Sequence, residues 1–454
     1  MYKKFHVPGF SVENMKYILT RFGNNTNDLI GTDAVHLLNQ FHLDLAQKVI
    51  QTYIFQLLSI FLGIIISVIV ARALGPVGKG TYAVACALGT LGVQFGNLGL
   101  HAANIYYGAR DRDWLAGLVG NSLLVSFSMG SVISTFLWFF FRLHPHLAPI
   151  DGLPLLIALL WVPFGLAYIL MRNLLLGIQD IQAFNNIDFG NRLFVLIFTI
   201  LIVLTKNANV EVVYLIALTG LILGCIGTYW RLHHQIGGAP TLSLSIFKKQ
   251  STYGFKIYIS NISNEMLMRG DIFIVNYFLF ADQVGYYAIA STMAFMVYTF
   301  SPVVGSILYS KLSPMDNCDE KWRINKTIVM RVGVIMLVMV ILSVLFAKIF
   351  LVFLYGDTYL PALWPFLWLL PGIFFLSLGM TTGVIFGASG MPFYAIFPFL
   401  IAGGMNVILN IYIVPRSGII GASIVSDVTY FLFFIMMVCL VPYFLKKNRS
   451  QVTL

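Results

Sequence analysis

Charged residues are scarce in this chain of 454 residues, where Asp, Glu, Lys and Arg together make up 10%. A soluble globular domain carries about a quarter of such residues, so a fold with a largely water-exposed surface is excluded. Apolar residues instead reach 59%, and the mean hydropathy is +0.85. Because the apolar runs are long enough for helices that cross a bilayer, the sequence predicts an all-α polytopic membrane protein.

Cysteine is also rare. The four cysteines, at positions 86, 225, 318 and 439, are scattered along the chain. Their spacing fits neither a metal site nor a disulfide framework. We therefore expect no metal and no bound cofactor, and the sequence leaves open whether coupling to H+ or Na+ drives the protein.

Acidic residues are outnumbered, with 18 Asp and Glu against 28 Lys and Arg, which gives a net charge of +10. In a soluble protein this excess would raise nucleic acid as a partner. Here the positive residues mostly lie in short loops between apolar runs, where they set the orientation of the helices. We expect no nucleic-acid partner.

Apolar runs of spanning length occur twelve times, so we predict twelve transmembrane helices. They lie at about 49–71, 81–107, 115–141, 153–174, 187–205, 210–232, 253–280, 284–310, 326–354, 362–386, 392–413 and 418–445.

Lys and Arg are unevenly distributed between the two sides of these spans. With a cytoplasmic N-terminus, about 21 fall on the inner side and about 6 on the outer side. This predicts cytoplasmic termini. The predicted parts are a cytoplasmic extension, a six-helix lobe, an interfacial linker, a second six-helix lobe and a cytoplasmic tail, at 1–48, 49–232, 233–252, 253–446 and 447–454.

The seventh span, 253–280, is unusually polar for a bilayer-crossing segment. A charged side chain at the bilayer centre costs about 2.5–3.5 kcal/mol, so such residues usually face a cavity or a partner. On a helix, one broad face would carry polar residues and the opposite face apolar ones. We predict that this span lines a polar translocation cavity. The alternative is an ion network that only joins helices. The residues concerned are Lys256, Asn261, Asn264, Glu265, Arg269 and Asp271.

A short internal repeat links the two halves. GTYAVA opens span two at 80–85, and GYYAIA opens span eight at 285–290. Since six spans separate the copies, both have the same orientation. This favours two six-helix halves related by an axis along the membrane normal, with a binding site between them. Chance similarity between Gly- and Ala-rich helix starts is the alternative.

Several motifs resemble those of Wzx-type polysaccharide flippases in the multidrug/oligosaccharidyl-lipid/polysaccharide (MOP) exporter superfamily. They are ARALGPVGKGTY at 71–82, VGYYAIA at 284–290, LYG at 354–356, Asn406 with Asn410, and GIIGAS at 418–423. The resemblance covers about 49–446 and implies a MATE-like fold, in which two lobes around a central polar cavity alternate access. It implies transfer of an undecaprenyl-diphosphate-linked oligosaccharide to the outer leaflet, without enzymatic activity. It also implies a location in the cytoplasmic (inner) membrane of a bacterium or archaeon. The extension before residue 49 departs from the usual short N-terminus of the family.

Such a cargo needs cations for its diphosphate and polar or aromatic groups for its sugars. Arg269 and Lys256 are the first candidates for phosphate contact, followed by Arg192 with Asp188 in span five. Arg72, at the outer end of span one, is a candidate for cargo release or for anchoring a turn.

The remaining candidates for the cavity are uncharged or acidic. Asn97, Asn261 and Asn264 would line it or bond between helices. Asp427 would pair with a cation or take part in proton coupling. The expected partners are the lipid-linked oligosaccharide and membrane lipids, with a polysaccharide polymerase and glycosyltransferases as candidate neighbours.

Two other functions stay open at this stage. A cation-coupled multidrug exporter of the same superfamily would favour an acidic cavity, whereas span seven carries both signs of charge. A membrane-embedded polysaccharide polymerase or ligase would need a large outer loop, and the predicted outer loops are short. A flippase for a lipid-linked peptidoglycan precursor is a closer relative, but usually has two more spans than the twelve predicted here.

Overall fold

The computed structural model describes the backbone of residues 30–315, 317–390 and 392–452, and the side chains of residues 54–446 other than 256, 316 and 391. The chain divides into two units, Met1–Leu57 and Leu58–Leu454. The side chains of the predicted extension, up to residue 48, and of the predicted tail, from residue 447, lie outside the described residues.

All regular elements of the described residues are helices. The α-helices are α1 (Ile30–Gly96), α2 (Leu100–Arg110), α3 (Leu115–Leu143), α4 (Gly152–Gly177), α5 (Ile181–Leu204), α6 (Val210–Ile236), α7 (Leu244–Arg269), α8 (Asp271–Phe278), α9 (Ala281–Tyr298), α10 (Phe300–Leu312), α11 (Cys318–Tyr355), α12 (Leu363–Ala388) and α13 (Phe397–Val452).

Nine helical segments in the described part of the chain are long and apolar enough to cross a membrane. Two of them, Ile54–Gly96 and Phe393–Lys446, are about twice the length that one crossing requires, and each is divided by a glycine with positive φ. The polar pair α7 and α8, which is the predicted seventh span, is not among the nine. With the two long segments divided and this pair added, each of the twelve predicted spans corresponds to a helical segment of the structure.

The first division lies at Gly75, whose φ of 66° and ψ of −179° suit a residue without a Cβ. Lys79 Nζ donates to Ser67 Oγ at 3.3 Å. On a straight helix these residues would be about 18 Å apart along the axis. The chain therefore doubles back at Gly75 and forms a helical hairpin from spans one and two.

The second division lies at Gly418, with φ 58° and ψ −149°. Asn406 Nδ2 donates to Thr429 Oγ1 at 3.2 Å, although a straight helix would separate the two residues by about 34 Å. Spans eleven and twelve therefore form a second helical hairpin.

Buried apolar side chains form two large clusters that follow the two halves of the sequence. In the larger cluster, all but Ala71 of the buried members lie between positions 267 and 445. In the second, most lie between 84 and 232, with a few from the other half, including Val275 and Tyr287. Each half thus has its own apolar core. Where the halves meet, the core of one half includes a few side chains from the other.

The halves meet closely where the two copies of the internal repeat begin. A Cβ atom built on Gly80 would collide with the backbone carbonyl oxygen of Ala281, and one built on Gly285 would collide with that of Pro76. Each repeat glycine therefore packs against the start of the other repeat, as expected for two equivalent segments related by a twofold axis. We call this contact the outer seam, since the predicted topology would place this end of the helices outside.

The predicted linker, 233–252, ends inside α7 and is bonded to the N-terminal half. Gln250 is fully buried. Its Nε2 donates to Asn104 Oδ1 at 2.6 Å, and its Oε1 accepts from Asn121 Nδ2 at 3.1 Å. Asn121 also bonds to the backbone N and O of Ser243 at 3.1 and 3.0 Å. This buried amide network fixes the first turns of α7 to α2 and α3.

Candidate functional site

The interface between the halves runs along α7, which packs against the second part of α1 and against α2. Tyr258 Oη donates to the backbone oxygen of Phe95 at 2.7 Å. A Cβ on Gly254 would lie 2.7 Å from the carbonyl carbon of Gly99, so the two backbones approach closely. The predicted seventh span is therefore a boundary helix between the halves, which is where a binding site between two lobes would lie.

Two predicted asparagines take part in a polar bridge across this boundary. Asn97 Oδ1 lies 3.0 Å from His101 Nδ1, and His101 Nε2 lies 3.1 Å from Asn261 Nδ2. Asn97 is buried and Asn261 half-buried. The bridge thus joins the halves through both ring nitrogens of one histidine, and in this conformation the two amides serve helix contact.

Glu265 and Arg269 form the ion pair that their spacing of four residues suggests, with Arg269 Nε 3.5 Å from Glu265 Oε2. The Arg269 side chain is 51% exposed, while that of Glu265 is 19% exposed. Arg269 also lies close enough to Cys86, in span two, to interact with it electrostatically. Its guanidinium is therefore held at the boundary between the halves by a carboxylate, and half of it stays accessible to a ligand.

Asn264 is half-buried beside this pair. Among the described residues, its Oδ1 is a buried atom without a hydrogen-bond partner. A buried amide oxygen left unpaired is costly, so this atom is a candidate for a bond to a ligand hydroxyl. The side chain of Lys256, the other predicted phosphate contact, lies outside the described residues.

Two of the predicted acidic site residues, Asp271 and Asp427, bond to protein groups inside the C-terminal half. Asp271 is buried at the start of α8, where it accepts hydrogen bonds from Tyr287 Oη and from Ser426 Oγ, the latter at 3.3 Å. Asp427 Oδ1 accepts from the backbone N of Gly372 at 2.6 Å, next to Pro371 in α12. The helical periodicity placed Asp271 on the polar face of span seven, and the structure turns that part of the face toward α9 and α13.

Asp188 is the centre of a second ionic cluster, between spans one, four and five. It lies 3.4 Å from Arg172 Nη2 and 3.3 Å from Arg192 Nε, and it accepts from Ser59 Oγ at 3.2 Å. Arg172 stacks on Phe184, with 3.9 Å from the guanidinium carbon to the ring centroid. One carboxylate faces two guanidinium groups, so the cluster keeps one positive charge for an anionic ligand.

From the sequence, Arg172 and Lys79 contributed only to the topology prediction. In the structure both make specific contacts inside the N-terminal half. Lys79 is only 6% exposed and lies over the Tyr82 ring, 5.5 Å from its centroid. The topology count placed Lys79 on the outer side, and the reversal at Gly75 puts it in the first turn of the helix that follows. A charged residue three positions after a Gly-Pro pair, ahead of an apolar helix, was the available signal.

Arg72 lies away from these clusters, at the outer end of span one. It donates from Nε to the backbone oxygen of Leu354 at 2.8 Å and from Nη2 to that of Phe353 at 2.5 Å. Tyr359 Oη donates to the backbone oxygen of Ala71 at 2.8 Å. A cation on the last carbonyl groups of α11 is favourable for a helix C-terminus. In this conformation Arg72 joins span one to span nine.

A cavity of about 300 to 1,000 Å³ is typical of ligand sites, and one of about 810 Å³ opens between the halves at the end that the predicted topology would place inside. We call it the inner vestibule. Its walls include Tyr107, Lys248, Lys249, Tyr253 and Tyr309. Among the described residues that line it, two are lysines and none is acidic. This wall suits an anionic ligand that also offers faces for aromatic rings.

Aromatic rings extend the vestibule on the side of the N-terminal half. Tyr106 stacks on Tyr253 with 4.6 Å between ring centroids. Lys249 Nζ lies 4.3 Å from the centre of the Trp114 ring. None of these residues was predicted as a site residue, since tyrosine and lysine at the inner end of a span also serve as ordinary interfacial anchors.

These features define a polytopic α-helical membrane protein with the fold of the MOP-superfamily transporters. One solved structure with this fold is the inward-facing conformation of a multidrug resistance MATE family transporter, with a TM-score of 0.64 and 16% identity over 88% of this chain and 96% of that one. The outward-facing conformation of such a transporter gives 0.55 and 15%, over 88% and 96%. The inward closed conformation of the lipid II flippase MurJ gives 0.71 and 15%, over 87% of each chain.

A family model described as "Polysaccharide biosynthesis protein" matches residues 69–363, more than half of the chain. The chain belongs to this family, and the resemblance stated from its motifs is confirmed. No curated protein sequence matches the chain.

Proposed function

We propose that the protein moves an oligosaccharide linked to undecaprenyl diphosphate from the inner to the outer leaflet, for the synthesis of a surface polysaccharide. Both termini would lie in the cytoplasm. The two halves would alternate between a state open to the inner side and a state open to the outer side. Membership in a polysaccharide biosynthesis family and the fold of MOP transporters support this proposal.

One observation carries the proposal: the halves are in tight contact at one end and separated by a basic, aromatic cavity at the other. At the outer seam, Gly80 and Gly285 leave no space for a side chain. At the other end the vestibule is walled by Lys248, Lys249 and Tyr253. This is the arrangement that a loading state needs for a cargo that arrives from the cytoplasmic side.

The chemistry of the vestibule supports a sugar lipid over a cationic drug. Ammonium groups attract a diphosphate, and tyrosine rings stack on the apolar faces of sugars. A cationic drug would need acidic or unshielded aromatic groups, whereas two lysines lie on the vestibule wall. In the N-terminal half, the Asp188 cluster combines two guanidinium groups with one carboxylate and so adds further positive charge.

Deleting the gene and following the lipid-linked intermediates tests this function. We expect single oligosaccharide units on undecaprenyl diphosphate to accumulate on the cytoplasmic side, surface polysaccharide to be lost, and the wild-type gene to restore it. Single units that reach the outside without polymerisation would instead identify a polymerase. Unchanged polysaccharide with altered drug sensitivity would identify a drug exporter. Either result contradicts the proposal.

A further inference from the structure

A second cavity adjoins the inner vestibule within the C-terminal half. It measures about 350 Å³ and lies between α9, α10, α12 and α13. Its walls are almost entirely apolar and include Tyr298, Pro302, Met380, Val384, Phe399 and Met437. We call it the apolar cleft. Two methionines and the small residues Gly305 and Gly383 give its wall flexibility and room for a ligand without a rigid shape.

The apolar cleft and the inner vestibule share two wall residues, Tyr309 and Gly387. The Tyr309 ring lies directly on Gly387, with ring carbons 3.2 and 3.5 Å from the position of a Cβ on that glycine. A Cβ at this position would move the ring away from α12 by a few tenths of an ångström. Tyr309 therefore stands at the passage between a basic cavity and an apolar one.

The two cavities have complementary chemistry and a fixed order along the membrane normal. Tyr309 and Tyr298 both line the cleft and are eleven residues apart on α9 and α10, which corresponds to about 16 Å along a helix. The cleft thus extends from the vestibule toward the interior of the membrane. Lys248 and Lys249 remain at the vestibule end, where both are exposed.

We propose that the vestibule and the cleft form one bipartite site for a prenyl diphosphate, with the first isoprene units in the apolar cleft and the diphosphate against Lys248 and Lys249. The inference rests on the proposed function and specifies where its cargo is held on arrival. A flexible, methyl-branched chain fits a wall of methionine and glycine, which gives it apolar surroundings in place of the lipid tails. The lysines supply the charge that the diphosphate requires.

Two further charged residues lie beside the two lysines. Arg110 and Asp111 line a pocket of about 520 Å³ that shares Tyr107 and Lys249 with the vestibule. Because one is basic and the other acidic, they add no net charge there. The lysine pair thus gives this end of the bipartite site its positive sign.

Binding of inorganic diphosphate, geranyl diphosphate and geranylgeranyl diphosphate to the purified protein in detergent tests the site, with affinities measured by calorimetry. The geranylgeranyl compound is expected to bind at least tenfold more tightly than the geranyl compound. Gly305→Leu fills the cleft, since a Cβ there meets only Val384, at 3.5 Å. This variant is expected to reduce the tenfold difference to less than threefold and to leave inorganic diphosphate binding unchanged.

Gly227→Leu is the matched control, because a Cβ on this glycine of α6 meets no atom within 4 Å among the described residues. It keeps the chain-length preference of the wild type. The double variant Lys248→Ala with Lys249→Ala is expected to weaken all three ligands at least tenfold. Gly383→Leu is a second variant that fills the cleft, meeting only the flexible end of Met437; it serves if Gly305→Leu does not fold.

Retention of the wild-type chain-length preference in folded Gly305→Leu or Gly383→Leu overturns the assignment of the cleft. Unchanged diphosphate binding in the double lysine variant overturns the assignment of the headgroup site. The deletion experiment separates these results from failure of the proposed function. If lipid-linked units accumulate in the deletion strain while the cleft variants bind normally, the protein is a flippase that holds the lipid elsewhere.

Discussion

Gly80 and Gly285 pack against each other's helix starts at equivalent positions in the two halves. Each meets the backbone of the opposite half with no room for a Cβ atom. The two glycines occupy matching positions in the repeat and make equivalent contacts. These contacts explain the similarity between GTYAVA at 80–85 and GYYAIA at 285–290. The contact is a seam that must open if cargo is to leave on the outer side.

Replacing Gly80 with Leu is expected to hold the outer seam apart. The leucine side chain would overlap the backbone of Ala281 and Gly285. A cysteine introduced at Ala281 should then react with a membrane-impermeant maleimide added outside at least fivefold faster than in the otherwise wild-type protein. Gly190→Leu is the control, since a Cβ there meets nothing within 4 Å among the described residues. Equal labelling rates in the two variants would show that the seam is not closed in the membrane.

Arg72 should stabilise the same closed end through its two bonds to the carboxyl end of α11. Arg72→Ala removes both bonds. We expect it to destabilise the state with the closed outer end, relative to the open state, by about 1 kcal/mol. Arg72→Lys should restore part of this stability, because lysine can reach one carbonyl but lacks the planar fork. Maleimide labelling at position 281 reports the shift. A lysine variant equal to wild type would mean that charge alone suffices.

Asp188 is expected to matter for stability more than either of its arginine partners does. Asp188→Asn leaves two guanidinium groups together without a carboxylate. We expect a loss of about 1–2 kcal/mol, below the cost of breaking a fully buried pair because all three side chains keep some contact with solvent. Thermal unfolding in detergent measures it. Asp188→Asn with Arg192→Ala should recover part of the loss, and failure to do so would argue against charge repulsion as the cause.

Arg269 is expected to act on the cargo through its charge and its fork geometry. Arg269→Ala should abolish surface polysaccharide while the protein still inserts, and Arg269→Lys should restore a fraction of it, because an ammonium contacts phosphate at a single point. Lys256→Ala, made in parallel, tests the other predicted cation. Arg331→Ala, on an exposed position of α11, is the control. Full polysaccharide in the strain with both Arg269 and Lys256 replaced would contradict the predicted role.

The sequence was sufficient for the number of crossings, because each crossing needs about 20 apolar residues and turns interrupt the runs. It was sufficient for the ion pair of Glu265 and Arg269, because a spacing of four residues brings side chains together on any helix. It was not sufficient for Gln250, which lies in a segment of ordinary linker composition yet is buried between Asn104 and Asn121. These partners lie over a hundred positions away, and only the tertiary fold brings them together.

Helical periodicity predicted the face of the helix on which Asp271 lies, but not the groups that this face meets. It placed Asp271 on the polar face of span seven, which a single helix allows, but a neighbour decides what that face meets. Tyr287 and Ser426 come from two other helices and bond to this carboxylate. The vestibule was missed for a related reason: Tyr107, Lys249 and Tyr309 come from three separate parts of the chain. No local pattern distinguishes them from anchors at the membrane surface.

The amide network around Gln250 decides which part of the molecule has to flex. Gln250 is joined to Asn104 and Asn121, so the first turns of α7 travel with the N-terminal half. Farther along, Gly403 in α13 lies against the backbone of Ser263, which ties the later turns to the C-terminal half. These contacts join one continuous helix to both halves. Between them, Tyr258 and Asn261 also bond to the N-terminal half, at Phe95 and His101. The rocking motion that the proposed transport cycle requires would therefore bend α7 beyond Asn261, and the stiffness of that part of the helix would set how easily the carrier reverses.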